Sequence, residues 1–372
     1  MSLLAAPAGI LKRVGKSVKD PFGRTVDYLR VSVTDRCNFR CVYCMPEEGY
    51  PATPKHEHLT SDEIVRLVRI GASIGIRKVR LTGGEPLLRK DLPRIVGEIA
   101  SLPGIDDLSC TTNGHLLEEM APDLALNGLS RINVSLDTLD PARFVEIARR
   151  GSLEKVLRGI SAAKKSGLDP IKINCVAMRG VNDHEAADFA SWTQREEIHI
   201  RFIELMPIRW DLGDVEPFDT FAAHNGKGLL QIRQTSGGML GDAQMRRMFV
   251  SSAEIRDRIE MVHGALEHAV IATNGPARSY RIPGAPGTIG FISQITHDFC
   301  ESCNRLRLTH DGFLRPCLMS DGELNLRDPL RAGVADEELR SLFYHVVLHK
   351  PERHYLAEGQ RTVGRSMSQI GG

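Results

Sequence analysis

Cys37, Cys41 and Cys44 are spaced Cys-x3-Cys-x2-Cys on a stretch, Thr34 to Cys44, that directly follows a short apolar–polar alternating run at Tyr28 to Thr34. Three closely spaced thiolates on one loop can hold three irons of a cubane iron–sulfur cluster and leave the fourth iron without a protein ligand. Zinc usually closes at four protein ligands, and no fourth Cys or His stands here at finger spacing, since His56 and His58 lie beyond a Pro-rich loop. The competing reading is a zinc knuckle that borrows a distant ligand. Cys300, Cys303 and Cys317 form a second set of three, Cys-x2-Cys-x13-Cys, for which zinc completed by His297 or His310 competes with a cluster on spacing alone. Cys110 and Cys175 sit among apolar strand residues and read as inert core thiols.

The rest of the composition bounds what surrounds these ligands. The 372 residues, 42% of them apolar, suffice for two or three domains with a real core. A formal charge of +1 with 26% charged residues gives no global pull toward nucleic acid or a membrane, so an anionic ligand must be met by locally concentrated Arg and Lys. Eight cysteines in this grouping read as metal ligation in a reducing cytoplasm rather than as a disulfide framework. No stretch approaches the ~18 to 20 apolar residues of a membrane span. Residues 1–23 read as a tail. A transit peptide is the alternative, because the first acidic residue is Asp20.

Six strands are expected at Tyr28 to Thr34, Lys78 to Thr82, Leu108 to Thr112, Arg131 to Ser135, Ile171 to Val176 and Ile200 to Glu204, with amphipathic helical stretches between them. That alternation implies an α/β fold with a parallel sheet. Along each strand one parity is apolar (Leu29, Val31; Val79, Leu81; Ile132, Val134; Ile171, Ile173) and the other polar (Arg30, Ser32; Arg80, Thr82; Asn133, Ser135; Lys172, Asn174). A doubly wound sheet covered on both faces would be apolar on both parities, and a closed eight-stranded barrel would pack its interior with Val, Ile and Leu. The pattern therefore predicts an open partial six-stranded (β/α)6 TIM-like barrel over 24–207 whose polar face surrounds a large polar ligand. Residues 208–248 read as a Gly-rich loop insertion. Over 249–372 a small C-terminal β-containing region is expected, with strands near Ser279 to Ile282, Thr288 to Ile292 and Leu306 to Thr309.

Gly83-Gly84-Glu85-Pro86 follows the second strand, where adjacent glycines admit a ligand to the backbone and a carboxylate could meet an ammonium group. Placed one β–α unit after a Cys triplet with Tyr43 before its last Cys, it resembles the radical S-adenosylmethionine (SAM) superfamily. Adding the second Cys set and the terminal Gly371-Gly372, the chain from about Asp20 onward resembles the GTP 3',8-cyclase family of molybdenum cofactor biosynthesis. A radical SAM peptide-modifying enzyme with auxiliary clusters is the rival, but it would normally offer more C-terminal cysteines.

The resemblance implies two [4Fe-4S] clusters, held by Cys37, Cys41 and Cys44 and by Cys300, Cys303 and Cys317, the second meeting the guanine base. It assigns Tyr43, Gly84, Glu85, Ser135 and Met206 to SAM. Arg30, Arg80, Thr111, Lys172, Arg305, Leu306 and Arg307 fall to GTP, and Gly371 and Gly372 to a tail that reaches the active site. It further implies SAM cleavage to a 5'-deoxyadenosyl radical, hydrogen abstraction from the ribose 3' carbon, attack on guanine C8 and a final reduction. An external low-potential electron donor feeds such a reaction, and cyclic pyranopterin monophosphate synthase takes the product. A homodimer is compatible with it. The 208–248 segment is longer than the family's usual connection.

Overall fold

The computed structural model describes residues 17–51, 53–206, 242–271, 275–354 and 365–371. Two short strands, β1 (Val18–Lys19) and β2 (Thr25–Val26), pair as a hairpin, and the α/β alternation then begins. It runs β3 (Tyr28–Ser32), α1 (Ser61–Ser73), β4 (Lys78–Thr82), α2 (Leu92–Ala100), β5 (Asp107–Thr112), α3 (Leu117–Leu126), β6 (Arg131–Ser135), α4 (Pro141–Ala148), α5 (Leu153–Lys165), β7 (Lys172–Ala177), α6 (Ala186–Arg195) and β8 (His199–Glu204). All six expected strands are present, within a residue or two of their expected bounds. Local signals fix the helix starts: Thr60 caps α1 in a reciprocal box with Glu63, and Asp140 caps α4 through the Arg143 N–H.

The apolar parity of the strands does what the alternation requires. Leu29, Val31, Val79, Leu81, Cys110, Ile132, Val134, Ile173 and Ile200 are buried in one continuous core with the apolar stripes of the helices, among them Ile64, Leu67 and Val68 of α1 and Ile95 and Ile99 of α2. Cys110 and Cys175 belong to this core, as expected.

The chain continues through α7 (Asp242–Met248), α8 (Ser252–His263), β9 (Glu267–His268), β10 (Arg278–Arg281), β11 (Thr288–Ile292), β12 (Arg305–Leu308), β13 (Phe313–Arg315), β14 (Leu324–Asn325), α9 (Arg327–Arg331) and α10 (Asp336–Leu348). Most of the expected 208–248 insertion lies outside the described residues, and its end is α7.

The sheet differs from the expected one in extent. Among the described residues, twelve strands form one mixed sheet in the order β14-β13-β12-β3-β4-β5-β6-β7-β8-β11-β10-β9. The six expected strands are its uninterrupted middle, but the C-terminal strands do not form a sheet of their own. β12 adds in parallel beside β3, and β11 adds in parallel beside β8. Both flanks of the N-terminal sheet offered unpaired backbone donors and acceptors, and the C-terminal segment satisfies them.

Glu204, at the end of β8, fastens one of these junctions. Its buried carboxylate accepts from the Ser252, Ile295 and Thr296 N–H groups at 3.1, 2.9 and 3.0 Å and from the Thr296 hydroxyl. Glu204→Ala strands several buried donors at once, so a loss of ~3–5 kcal/mol in denaturant-induced unfolding is expected. Glu204→Gln, which keeps the acceptor oxygen, should lose less than half of that.

Candidate functional site

The polar parity of the strands forms the wall of a single cavity. Register places Arg315, Arg307, Arg30, Arg80, Ser109 and Arg131 in one row across β13, β12, β3, β4, β5 and β6. A second row runs Thr111, Asn133, Lys172, His199 and Thr288 from β5 to β11. Arg305 and Arg307 of β12 line the same cavity as Arg201 and Ile203 of β8. Six interstrand steps separate β12 from β8 in the sheet order, roughly 29 Å if the sheet were flat. The sheet is therefore strongly curled around the cavity.

Like charges on adjacent strands repel, and burial makes it worse. The end members of the arginine row are neutralised, Arg315 by Glu323 and Arg131 by Asp107. Toward the middle, burial and then the neighbouring Arg307 and Arg80 hold the Arg30 pKa well below its usual range. Arg307 is pulled down to about 10 by burial and then Arg305, and Arg201 to about 9 by burial and then Arg80. Arg80 lies over the Tyr28 ring, its guanidinium carbon 5.5 Å from the centroid. An anion of several charges bound there would relieve this repulsion.

At one end of this wall sits the first Cys set: Cys37, Cys41 and Cys44 all line the cavity. Their loop is held by backbone hydrogen bonds from Arg40 and Val42 to the carbonyls of Ala148 and Ile147 at the end of α4, both 3.0 Å. Phe39 packs edge-on against His115 and Phe144 at 5.7 Å. Burial pushes the Cys37 thiol up to about 11 and Cys44 up to about 12, each raised further by neighbouring acidic groups or thiols, and Cys41 well above its ordinary value. Bound metal supplies the positive charge that would turn such buried thiols into thiolates.

Gly83 and Gly84 are glycines because of this loop. A Cβ on Gly83, at φ +141°, would lie 2.3 Å from the Thr34 carbonyl oxygen, and one on Gly84 2.2 Å from that of Arg36. The close approach expected for a ligand is made first of all by the chain itself. Gly84 also lines the cavity, with Tyr43, Ser135 and Met206. Tyr43 donates its hydroxyl to Asp137 at 2.7 Å, and burial raises Asp137 to about 6.

Glu85 is placed differently from the expectation. It is buried and is not among the cavity-lining residues; its carboxylate accepts from the Asn113 N–H at 2.7 Å, the Thr112 hydroxyl at 2.6 Å and the Leu87 N–H at 3.0 Å. It ties the tip of β4 to that of β5. Of the residues expected at the nucleotide, Arg30, Arg80, Thr111, Arg305 and Arg307 line the cavity. Lys172 shares their face but lies buried behind the lining, its pKa pulled down to about 6 by burial and then by Arg201. The Leu306 side chain is on the opposite face, in the apolar core, so only its backbone is available to a ligand.

Gly371 is buried against the polar face: its carbonyl and that of Ile370 accept from Arg307 Nη1, the latter at 3.2 Å. At φ +70°, a Cβ there would meet Thr82 Cγ2 at 2.6 Å. Met367 and Ser368 of the same tail line the cavity. Gly372 lies outside the described residues.

The second Cys set gathers at the β12 side. Cys300 feels the charges of Cys317 and Cys303, and Arg307, itself in the cavity wall, feels Cys317 and Cys303. Neither histidine considered for zinc stands as imagined. His297 is exposed, and His310 is buried beside Asp35 and His58, its Nε2 3.5 Å from the Asp35 carboxylate. His354 instead approaches Cys300 and Asp298.

Two family models match the chain, the Radical SAM superfamily over residues 31–193 and Molybdenum Cofactor Synthesis C over 238–356. Proteins named GTP 3',8-cyclase from Desulforamulus reducens, Moorella thermoacetica and Heliobacterium modesticaldum are 45%, 44% and 46% identical to it. Each alignment covers 95% of this chain and 99%, 100% and 99% of the relative, respectively. The chain belongs to the GTP 3',8-cyclase family. Its radical SAM α/β fold is shared with Streptococcus suis SuiB bound to S-adenosylmethionine, at a TM-score of 0.53 and 16% identity over 85% of this chain and 68% of that one.

Membership of the radical SAM superfamily implies a [4Fe-4S] cluster together with SAM. Sequence reasoning missed Tyr28, Arg201 and His354. Arg201 was within reach, since it stands on the polar parity of an expected strand, whereas His354 follows α10 and no local spacing links it to Cys300.

Burial raises Glu85 from 4.5 to about 7. The folded state therefore binds a proton more tightly than the unfolded state, and this contribution is full below about pH 4.5 and lost as pH rises through about 7. Glu85→Gln should remove this dependence: between about pH 5 and about pH 8 the wild type should lose ~3 kcal/mol more unfolding free energy than the variant.

Proposed function

We propose that the chain performs the reaction of its family, the radical SAM conversion of GTP to (8S)-3',8-cyclo-7,8-dihydroguanosine 5'-triphosphate, the first step of molybdenum cofactor biosynthesis. The observation that carries this reading is that a row of buried arginines and the first Cys triplet share one cavity. Arginine forks suit phosphate oxygens, and a triphosphate has the charge to relieve their mutual repulsion.

In this reading the curled middle of the sheet is a partial (β/α)6 barrel, with the radical SAM core at 24–207 and the second-cluster region at 249–372. Cys37, Cys41 and Cys44 hold the cluster, and Tyr43, Gly84, Ser135 and Met206 contact SAM. Glu85 acts from behind, fixing the strand tips. Bound together, cluster and SAM supply a carbon-centred radical oxidant. The chain's own residues do the rest by position. Arg30, Arg80, Arg305 and Arg307 hold the triphosphate, Thr111 meets the nucleotide, and Lys172, its amine reprotonated by the anion, adds positive charge from beneath. The Leu306 backbone and the Gly371-Gly372 tail close the site around the ribose. Cys300, Cys303 and Cys317 hold a second [4Fe-4S] cluster, against which the base rests.

Anaerobic reconstitution with iron, sulfide, SAM, GTP and a strong reductant should yield 5'-deoxyadenosine together with the cyclised nucleotide; 5'-deoxyadenosine with intact GTP would refute the substrate. Cys317→Ala should spare cluster-dependent SAM cleavage and abolish cyclised product, and unchanged product would remove the second cluster. Arg80→Leu removes a charge-assisted phosphate contact, so kcat/KM for GTP should fall ~10- to 100-fold with iron content unchanged.

A further inference from the structure

Each sulfur of the second Cys set faces an N–H group. The Met319 backbone N–H donates to Cys317 Sγ at 3.4 Å, the His354 backbone N–H is bonded to the Cys300 sulfur, and Lys350 Nζ lies 3.6 Å from Cys303 Sγ. Cys303 also accepts from the Arg305 backbone N–H, and of these four donors only Lys350 is charged. Its side chain is buried, 3% exposed, and Nζ also donates to the carbonyls of Pro316 at 2.6 Å and Arg305 at 3.0 Å. Pro316 immediately precedes Cys317, and Arg305 stands two residues after Cys303. One ammonium thus joins both ligand-bearing segments.

Arg24 does comparable bridging on the other side of the set. Its guanidinium donates to the Cys300 carbonyl at 2.7 Å and the Glu352 carbonyl at 2.6 Å, but Asp20 neutralises it. Among the described residues no carboxylate pairs with Lys350. A buried ammonium held only by neutral carbonyls is costly and calls for an anion. The nearest candidate is the Cys303 sulfur, 3.6 Å from Nζ.

We propose that Lys350 is a positioning residue for a cluster on Cys300, Cys303 and Cys317, clasping the Cys303 and Cys317 segments and placing a fixed positive charge at one sulfur that makes the cluster easier to reduce. Hydrogen bonds to cluster sulfurs and nearby charge are what set such potentials. The proposal rests on the reading that this triplet holds an iron–sulfur cluster.

The test is an EPR-monitored redox titration, with iron analysis, of the anaerobically reconstituted full chain and of Lys350→Met and Lys350→Arg. The wild type should hold about eight irons, four per cluster. In Lys350→Met the second cluster should be at least tenfold harder to reduce by one electron, a shift of ~59 mV to lower potential. Lys350→Arg should restore the wild-type value, and the first cluster should not move in either. Loss of the second cluster from Lys350→Met but not from Lys350→Arg, at wild-type potential, also supports the clasp. An unchanged potential in Lys350→Met, or loss of the cluster from both variants, overturns the proposal. A wild type holding only about four irons, with one cluster signal, refutes instead the second-cluster reading beneath it.

Discussion

The constraint on which this structure turns is the burial of several guanidinium groups side by side on one face of a sheet. Arg307, Arg30 and Arg80 are register partners on three adjacent strands, and Arg201 and Arg305 face the same space from strands six steps apart. Desolvation and like-charge repulsion act together there, and the depressed arginine pKa values record the cost. An anionic ligand bound against this wall would offset that cost. The apolar core on the opposite face of the same strands sustains that cost.

The two halves of the chain are coupled both through backbone hydrogen bonds between strands and through side chains, Glu204 and the shared apolar core among them. β12 and β11 continue the N-terminal sheet at its two flanks in parallel register. Arg305 and Arg307 therefore enter the polar wall at the next positions along the rows begun by Tyr28 and Arg30. Because Cys303 lies two residues before Arg305, the strand that completes the cavity wall is also the one that fixes a cysteine of the second set. The C-terminal tail closes on this strand, with the carbonyls of Ile370 and Gly371 on Arg307. A shift in β12 would thus move Arg305, Arg307, Cys303 and the tail together.

The sequence by itself determined a good deal of this. Period-two alternation located six strands and told their faces apart, because side-chain direction in a strand follows from parity alone. Thiol spacing picked out both Cys sets, because ligands a few residues apart can meet one metal centre whatever the rest of the chain does. The apolar stripe of α10, Leu339, Phe343, Val346 and Val347, was equally legible and was passed over.

Only the tertiary structure decided the rest. Strand order is set by which edges find one another, so the placement of β11 and β12 on opposite flanks had no local signature. Glu85 was read as a ligand contact because a carboxylate after two glycines faces either way in sequence; the neighbouring strand tip, with the Asn113 N–H and the Thr112 hydroxyl in reach, settles its direction. Leu306 shows the parity rule from the other side, its neighbours Arg305 and Arg307 facing the cavity while it faces the core. Lys350 and His354 reach the second Cys set from tens of residues away in the chain. Contacts at that separation are fixed by packing, which a linear pattern does not encode.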